Sequence, residues 1–195
     1  MTDIMTRKGE IVQDPPLLQK LLSHPRAGWF WLIPRLWLGW RWVEAASHKV
    51  TEPAWIESGV AVKGFWEQAI AIPESGRPMI AFDWYRAFIQ ALLEVEAYTW
   101  FAKVVAYGEL LIGIALILGA FTGIAAFFGA LMNWNFMLAG SASTNPVLFV
   151  IAIGLILAWK VAGTIGLDYF LLPWLGTPWK GEPVLVGGQS LQASS

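Results

Sequence analysis

The sequence predicts an all-α protein: a four-helix up-down bundle inside a membrane, with an amphipathic insertion at the interface between helices one and two. Three observations lead there. Hydrophobic residues make up 56% of the 195-residue chain and charged residues only 14%, where a soluble domain carries about 25% charged. The apolar residues gather into runs of about 20, the length that crosses a bilayer. Two of the three intervals between runs are so short that the flanking helices must run antiparallel.

Each element follows in order. Residues 1–28 read as a polar tail, in which Leu17, Leu18, Leu21 and Leu22 after Pro15-Pro16 form one apolar stripe at helical spacing, a short helix lying on the membrane surface. The first span is predicted at about 29–47, with Pro34 in its first turn, where a proline loses no helical hydrogen bond. The other spans are predicted at about 100–119, 121–139 and 146–166. Between the first two lies an insertion, about 49–99, read as extracytoplasmic. In it Phe88, Ala91, Leu92 and Val95 share one helical face, and Asp83, Arg86, Gln90 and Glu94 the other. The Gly-, Pro- and Ser-rich tail, 176–195, is predicted to be flexible.

The 13 tryptophans include Trp29, Trp31, Trp100, Trp174 and Trp179 near span ends, which read as an aromatic belt. In the fourth span Gly154, Ala158, Ala162 and Gly166 recur every four residues, a stripe that lets helix backbones approach closely. Ala125/Gly129 and Ala126/Ala130 offer the same in the third. Arg7, Lys8, Lys20 and Arg26 before the first span, with Arg35 and Lys160 near the same face, place both termini in the cytoplasm by the positive-inside rule.

Ionisable groups within spans cost about 2.5 to 3.5 kcal/mol each on insertion scales, so each calls for a partner or a task. Counted at about 1.5 Å per residue, Arg41 and Glu109 come to one level roughly 10 to 13 Å below the outer end, and Asn133 and Asn135 come close to it. Glu44 and Lys103 lie shallower, and His48 lies at the rim on the same face as Arg41 and Glu44. One reading is structural, an Arg41–Glu109 ion pair with asparagines fixing helix register. The other is a polar pocket in which Arg41 holds an anion or a quinone carbonyl and Glu109 or Glu44 relays protons. Arg35 and Lys160 are expected to snorkel to the inner headgroups.

Several chemistries lack their signatures. The chain has no cysteine, which removes disulfides, thiolate metal sites and iron–sulfur clusters. Its two histidines, His24 and His48, fall on opposite membrane faces and cannot jointly ligate haem. No nucleotide, flavin or zinc-protease motif is present. A formal charge of −1 offers no basic field for nucleic acid.

Three stretches carry a resemblance: RLWLGWRWVEAASHKV, GELLIGIALILGAFTGIAAFFGALMNWNFMLAG and STNPVLFVIAIGLILAWKVAGTIGLDYFLLP. Together they resemble the DoxX family, which includes a membrane subunit of thiosulfate:quinone oxidoreductase. Arg35, Lys49 and Glu109 fall on positions similar to that family's RL, HK and GELL patterns. Ala46 stands where a glycine is expected. The resemblance implies a four-helix protein of a prokaryotic cytoplasmic membrane, working as a quinone-linked oxidoreductase subunit with a second small subunit as partner.

On this reading thiosulfate or a similar sulfur anion is the electron donor, and loosely bound membrane quinone the acceptor. Arg41, Glu44 and Glu109 are the candidate catalytic residues. Trp42, His48, Lys49, Lys103, Asn133 and Asn135 are the candidate binding residues, with Trp40, Trp42 or Trp134 stacking on the quinone ring. No metal, haem or flavin is called for. The alternative is a non-catalytic accessory or scaffold subunit of a larger respiratory or photosynthetic complex. A transporter is disfavoured by the lack of inverted repeats or interrupted helix pairs.

Overall fold

The computed structural model describes residues 14–176. Within them the fold is all-helical, in the order α1 (Pro16–Ser23), α2 (Ala27–Lys49), α3 (Pro53–Ile56), α4 (Val60–Ile70), α5 (Asp83–Glu94), α6 (Tyr98–Leu118), α7 (Thr122–Leu138), α8 (Asn145–Leu157), α9 (Trp159–Ala162) and α10 (Asp168–Trp174). Helix α2 packs along α6 and α7 along α8, while α6–α7 and α2–α8 contacts close the ring. Helices α3, α4 and α5 form a cap over one end, resting on α6. The flexible-tail expectation for 177–195, and Trp179 with it, lies outside the described residues.

The α2–α6 interface is set by two glycines. A Cβ on Gly39 would sit 3.0 Å from the Gly113 carbonyl oxygen, and one on Gly113 would sit 2.8 Å from the Val43 nitrogen, so only bare backbone permits this approach. Around that crossing Trp31, Leu38, Trp42, Ile112, Leu116, Leu148, Ala152 and Leu155 form a continuous core. A second core, centred on Val62, Trp66, Ile80, Tyr85 and Ile89, joins the cap to the first turns of α6.

Three expectations need correction. Pro34 stands inside α2, well past its first turn, and supplies no N–H to the Phe30 carbonyl one turn back. The fourth span does not run unbroken to residue 166. Helix α8 ends at Leu157, Ala158 departs from helical geometry, and a single short helix, α9, follows before the chain turns. Trp31 is not a belt residue: it is buried against α8, and its indole N–H donates to the Leu21 carbonyl at 2.9 Å, tying α1 to α2. In α5 Tyr85 and Ile89 are buried with Leu92 packed beside them, Phe88, Ala91 and Val95 are exposed, and Arg86 donates to the Ile80 carbonyl at 2.7 Å.

One described helix, Tyr98–Leu118, is by itself long and apolar enough to cross a membrane, and Asn145–Leu157 is apolar but shorter.

Candidate functional site

The glycine crossing sets the relative level of α2 and α6. It leaves α6 projecting roughly 7 Å beyond the end of α2 at about 1.5 Å per residue. Glu109, one turn from Gly113 toward the cap, lies level with about Val43, and Lys49 in the last turn of α2 extends its side chain back along the inner face to reach it. The Lys49 ammonium donates to both carboxylate oxygens of Glu109, at 2.5 and 2.6 Å. Glu109 is fully buried, and Lys49 is partly so. The expected Arg41–Glu109 pair does not form. Arg41 instead binds Glu44, one turn along its own helix at the surface. Counted from the glycine crossing at about 1.5 Å per residue, Arg41 and Glu109 do lie close to one level, and it is the turn of Arg41 toward Glu44 on its own helix that keeps them apart.

Lys49 is also held from the sides. Its ammonium lies 5.0 Å from the Trp55 ring centre and 5.8 Å from that of Phe136, within the range of a cation–π contact. The cap residue Tyr85 donates its hydroxyl toward Asn135 of α7, at 3.1 Å from the backbone oxygen and 3.2 Å from the side-chain oxygen. Burial pushes the Tyr85 phenol above its ordinary range. The Asn135 amide nitrogen donates back to Leu131 at 2.8 Å.

These groups border a cavity of about 890 Å³ between the bundle and the cap. Its walls are largely aromatic and aliphatic, the character of a site for an apolar molecule steered by a few polar groups. Both cations on the wall are paired, Arg41 with Glu44 and Lys49 with Glu109. Two wall residues carry unpaired buried polar atoms, the Trp42 indole N–H and the Asn133 side-chain amide. They lie about one helical turn apart along α7, because Trp42 Nε1 packs beside Gly129 and Asn133 follows Gly129 by one turn.

Of the predicted site residues, the fold thus brings Arg41, Trp42, Lys49, Glu109, Asn133 and Asn135 to one cavity. Glu44, His48 and Lys103 do not line it and are exposed. The outward turn of Glu44 and His48 follows from Trp42, Ala46 and Lys49 taking the inner face of α2. Trp40 and Trp134 also point outward, at 61% and 50% exposure, which leaves Trp42 as the inward tryptophan of the three proposed to stack. Sequence reasoning missed Tyr85, although it lies three residues before Phe88 and its register was open to view. It also missed Trp55 and Trp66, which belong to cap helices too short to show a period.

The far end of the bundle holds a second polar cluster. Arg35 does not snorkel. It is buried and donates to the Ala162 carbonyl at 2.8 Å and the Ile165 carbonyl at 2.7 Å. Those are carbonyls freed where α9 ends. The same turn returns under the α6–α7 connection: Leu167 N–H donates to Leu118 at 3.0 Å and Asp168 N–H to Gly119 at 2.7 Å. Gly119 takes the left-handed conformation (φ 65°) that ends α6. The Asp168 carboxylate accepts from Phe121 N–H at 2.5 Å and Thr122 N–H at 2.8 Å, capping the start of α7. Lys160, the other residue expected to snorkel, is half-buried. Asp168 lies within the third of the resembling stretches but was given no role from its sequence, and it sits 46 residues from the helix residue whose N–H it caps.

No family model, no curated protein and no solved structure matches this chain.

Proposed function

We propose that this protein is a four-helix integral membrane protein of DoxX type, in which α2, α6, α7 and the α8–α9 segment span the bilayer. Its cavity receives membrane quinone as subunit of a quinone-linked oxidoreductase. The membrane reading rests on an inside-out distribution of polarity. Arg35, Glu109, Asn133 and Asp168 are buried, while Ile33, Trp37, Leu111, Phe127 and Val150 stand outward on four helices. In water that surface would be a large aggregation-prone patch. In lipid it is the solvent-facing side, and the buried charges of Arg35, Glu109 and Asp168 find partners within the protein.

The observation that carries the quinone reading is the cavity itself, an apolar volume whose wall holds a buried Lys49–Glu109 pair beside Tyr85 and Asn135. A quinone accepts two electrons and two protons, and an acid–base pair at the wall supplies a route for those protons. Two thiosulfate anions would each give one electron and join through a new S–S bond, so the exchange balances against one quinone. Glu109 is placed to pass protons, Lys49 to hold its carboxylate in position, and Trp42 to flank the ring. The test is thiosulfate-dependent reduction of a quinone in nanodiscs. Turnover that Glu109→Gln abolishes supports the reading, and a well-folded protein without turnover for any sulfur donor defeats it.

A second reading, the accessory subunit of a larger membrane complex, is favoured by one observation. Arg41 and Lys49 are both already paired, so an incoming anion would have to displace a carboxylate. Purification in mild detergent separates the two, since the accessory subunit would travel in a stable larger assembly.

A further inference from the structure

The cavity has two unlike sides. Toward the cap and the α7–α8 connection its border is polar, with Lys49, Tyr85, Asn135, Ser141 and Thr144. Along the side where α6 and α7 meet it is bordered by Val104 and Leu111 of α6 and by Phe128 and Leu131 of α7. These four are 57%, 65%, 50% and 44% exposed, so the same side chains face both the cavity and the outer surface. A residue that does both marks an opening, and the four lie on facing edges of two adjacent helices.

Gly108 lies between Val104 and Leu111 and also borders the cavity. A Cβ there would meet only the Met132 side chain, its sulfur at 3.8 Å and its methyl at 4.0 Å. The α6–α7 seam at this level is thus filled by one flexible thioether, the most adaptable of apolar side chains. The α2–α6 interface offers no such gap, because its glycines bring the two backbones into contact. The cap is sealed by its own core of Val62, Trp66 and Ile89.

We propose that the α6–α7 seam is a lateral entrance from the bilayer, and that it takes a single-chain amphiphile with an uncharged polar ring. This rests on the quinone reading and names the form of the occupant: the ring lies at the polar end and one isoprenoid-like chain lies in the seam past Gly108 and Met132. A two-chain phospholipid fits less well. Its anionic headgroup would find both wall cations already paired, and a seam one glycine wide accommodates one chain.

The experiment compares two probes on protein in nanodiscs: a benzoquinone with a decyl chain and the same ring without it, each titrated calorimetrically. Wild-type protein is expected to bind both, the tailed ring at least tenfold tighter. Gly108→Leu, which fills the seam from α6, is expected to remove that tenfold advantage while the tail-less ring keeps its affinity. Leu131→Trp fills the seam from α7 and gives an independent check should the first variant fold poorly. Undiminished binding of the tailed ring by both well-folded variants would overturn the entrance. A phospholipid retained through purification and displaced by neither probe would overturn the choice of occupant. Failure of wild-type protein to bind either ring would instead overturn the quinone reading itself.

Discussion

Lys49 grips Glu109 through both carboxylate oxygens, at 2.5 and 2.6 Å, across the interface of two helices that belong to opposite ends of the cap insertion. The pair therefore closes a loop of 60 residues as well as placing charge on the cavity wall. Lys49→Met leaves Glu109 buried and uncompensated, which costs about 3 to 5 kcal/mol. Glu109→Leu is expected to cost less, because Lys49 is only partly buried, and the two changes together should recover most of the loss. Reversible unfolding of the four proteins in a double-mutant cycle measures the coupling. Additive losses would show that the two side chains do not act as a pair.

Asp168 supplies the cap that α7 lacks from its own residues, since Phe121 at the cap position has no oxygen to offer. Asp168→Ala should cost about 1 to 2 kcal/mol as a lost cap. Gly163→Ala should match it in direction, because the new methyl would collide with the Asp168 carboxylate. The contrasting change is Gly64→Ala in α4, where no atom lies within 4 Å of the added carbon. That variant should gain up to about 1 kcal/mol from helix propensity. Thermal unfolding of the three variants gives the comparison, and equal effects of Gly163→Ala and Gly64→Ala would contradict it.

At the helix crossing, Gly113→Val would drive a branched side chain into the backbone of Val43. Overpacking of this kind costs about 1 to 3 kcal/mol, and the displaced helix should carry Glu109 away from Lys49. The expected signature is lower stability together with loss of the coupling measured above. Preserved coupling would place the control of that register elsewhere.

Tyr85 gives a prediction in pH. Burial raises its phenol above the ordinary value, so the folded protein holds this proton more tightly than the unfolded chain does. The resulting stability is fully present below about pH 10, the ordinary tyrosine value, and is lost as pH rises beyond it. Ultraviolet titration of the tyrosines should show a late component that Tyr85→Phe removes. A wild-type curve with no late component would count against the buried Tyr85–Asn135 contact.

The helical elements were legible because their apolar runs are long and their breaks carry glycine. The α6–α7 turn at Gly119 and the stripe of Gly154, Ala158 and Ala162 were both visible as patterns. The pairing of charges was not, because it depends on the direction each side chain takes: Arg41 turns to Glu44 on its own helix, while Lys49 reaches back along the inner face to Glu109. The same limit hid Asp168, whose partners are backbone N–H groups and so leave no trace in the sequence. Arg35 misled for a related reason: its partners are carbonyls that exist only because the chain leaves helical geometry at Ala158 and again after Ala162. The cavity residues were found by level along the helices more securely than by face, which is why Glu44 and His48 were included and Tyr85 was left out.

The strap from Gly163 to Asp168 has a consequence for assembly. It is synthesised after α2, α6, α7 and α8, yet it closes the carbonyl end of α6, the amide end of α7 and the guanidinium of Arg35 in α2. Until it emerges from the ribosome, three helices already made carry open polar ends that nothing earlier in the described chain can cover. The bundle thus has a final clasp, and a nascent chain halted just short of Asp168 would hold nearly all of its helices without being able to fasten them.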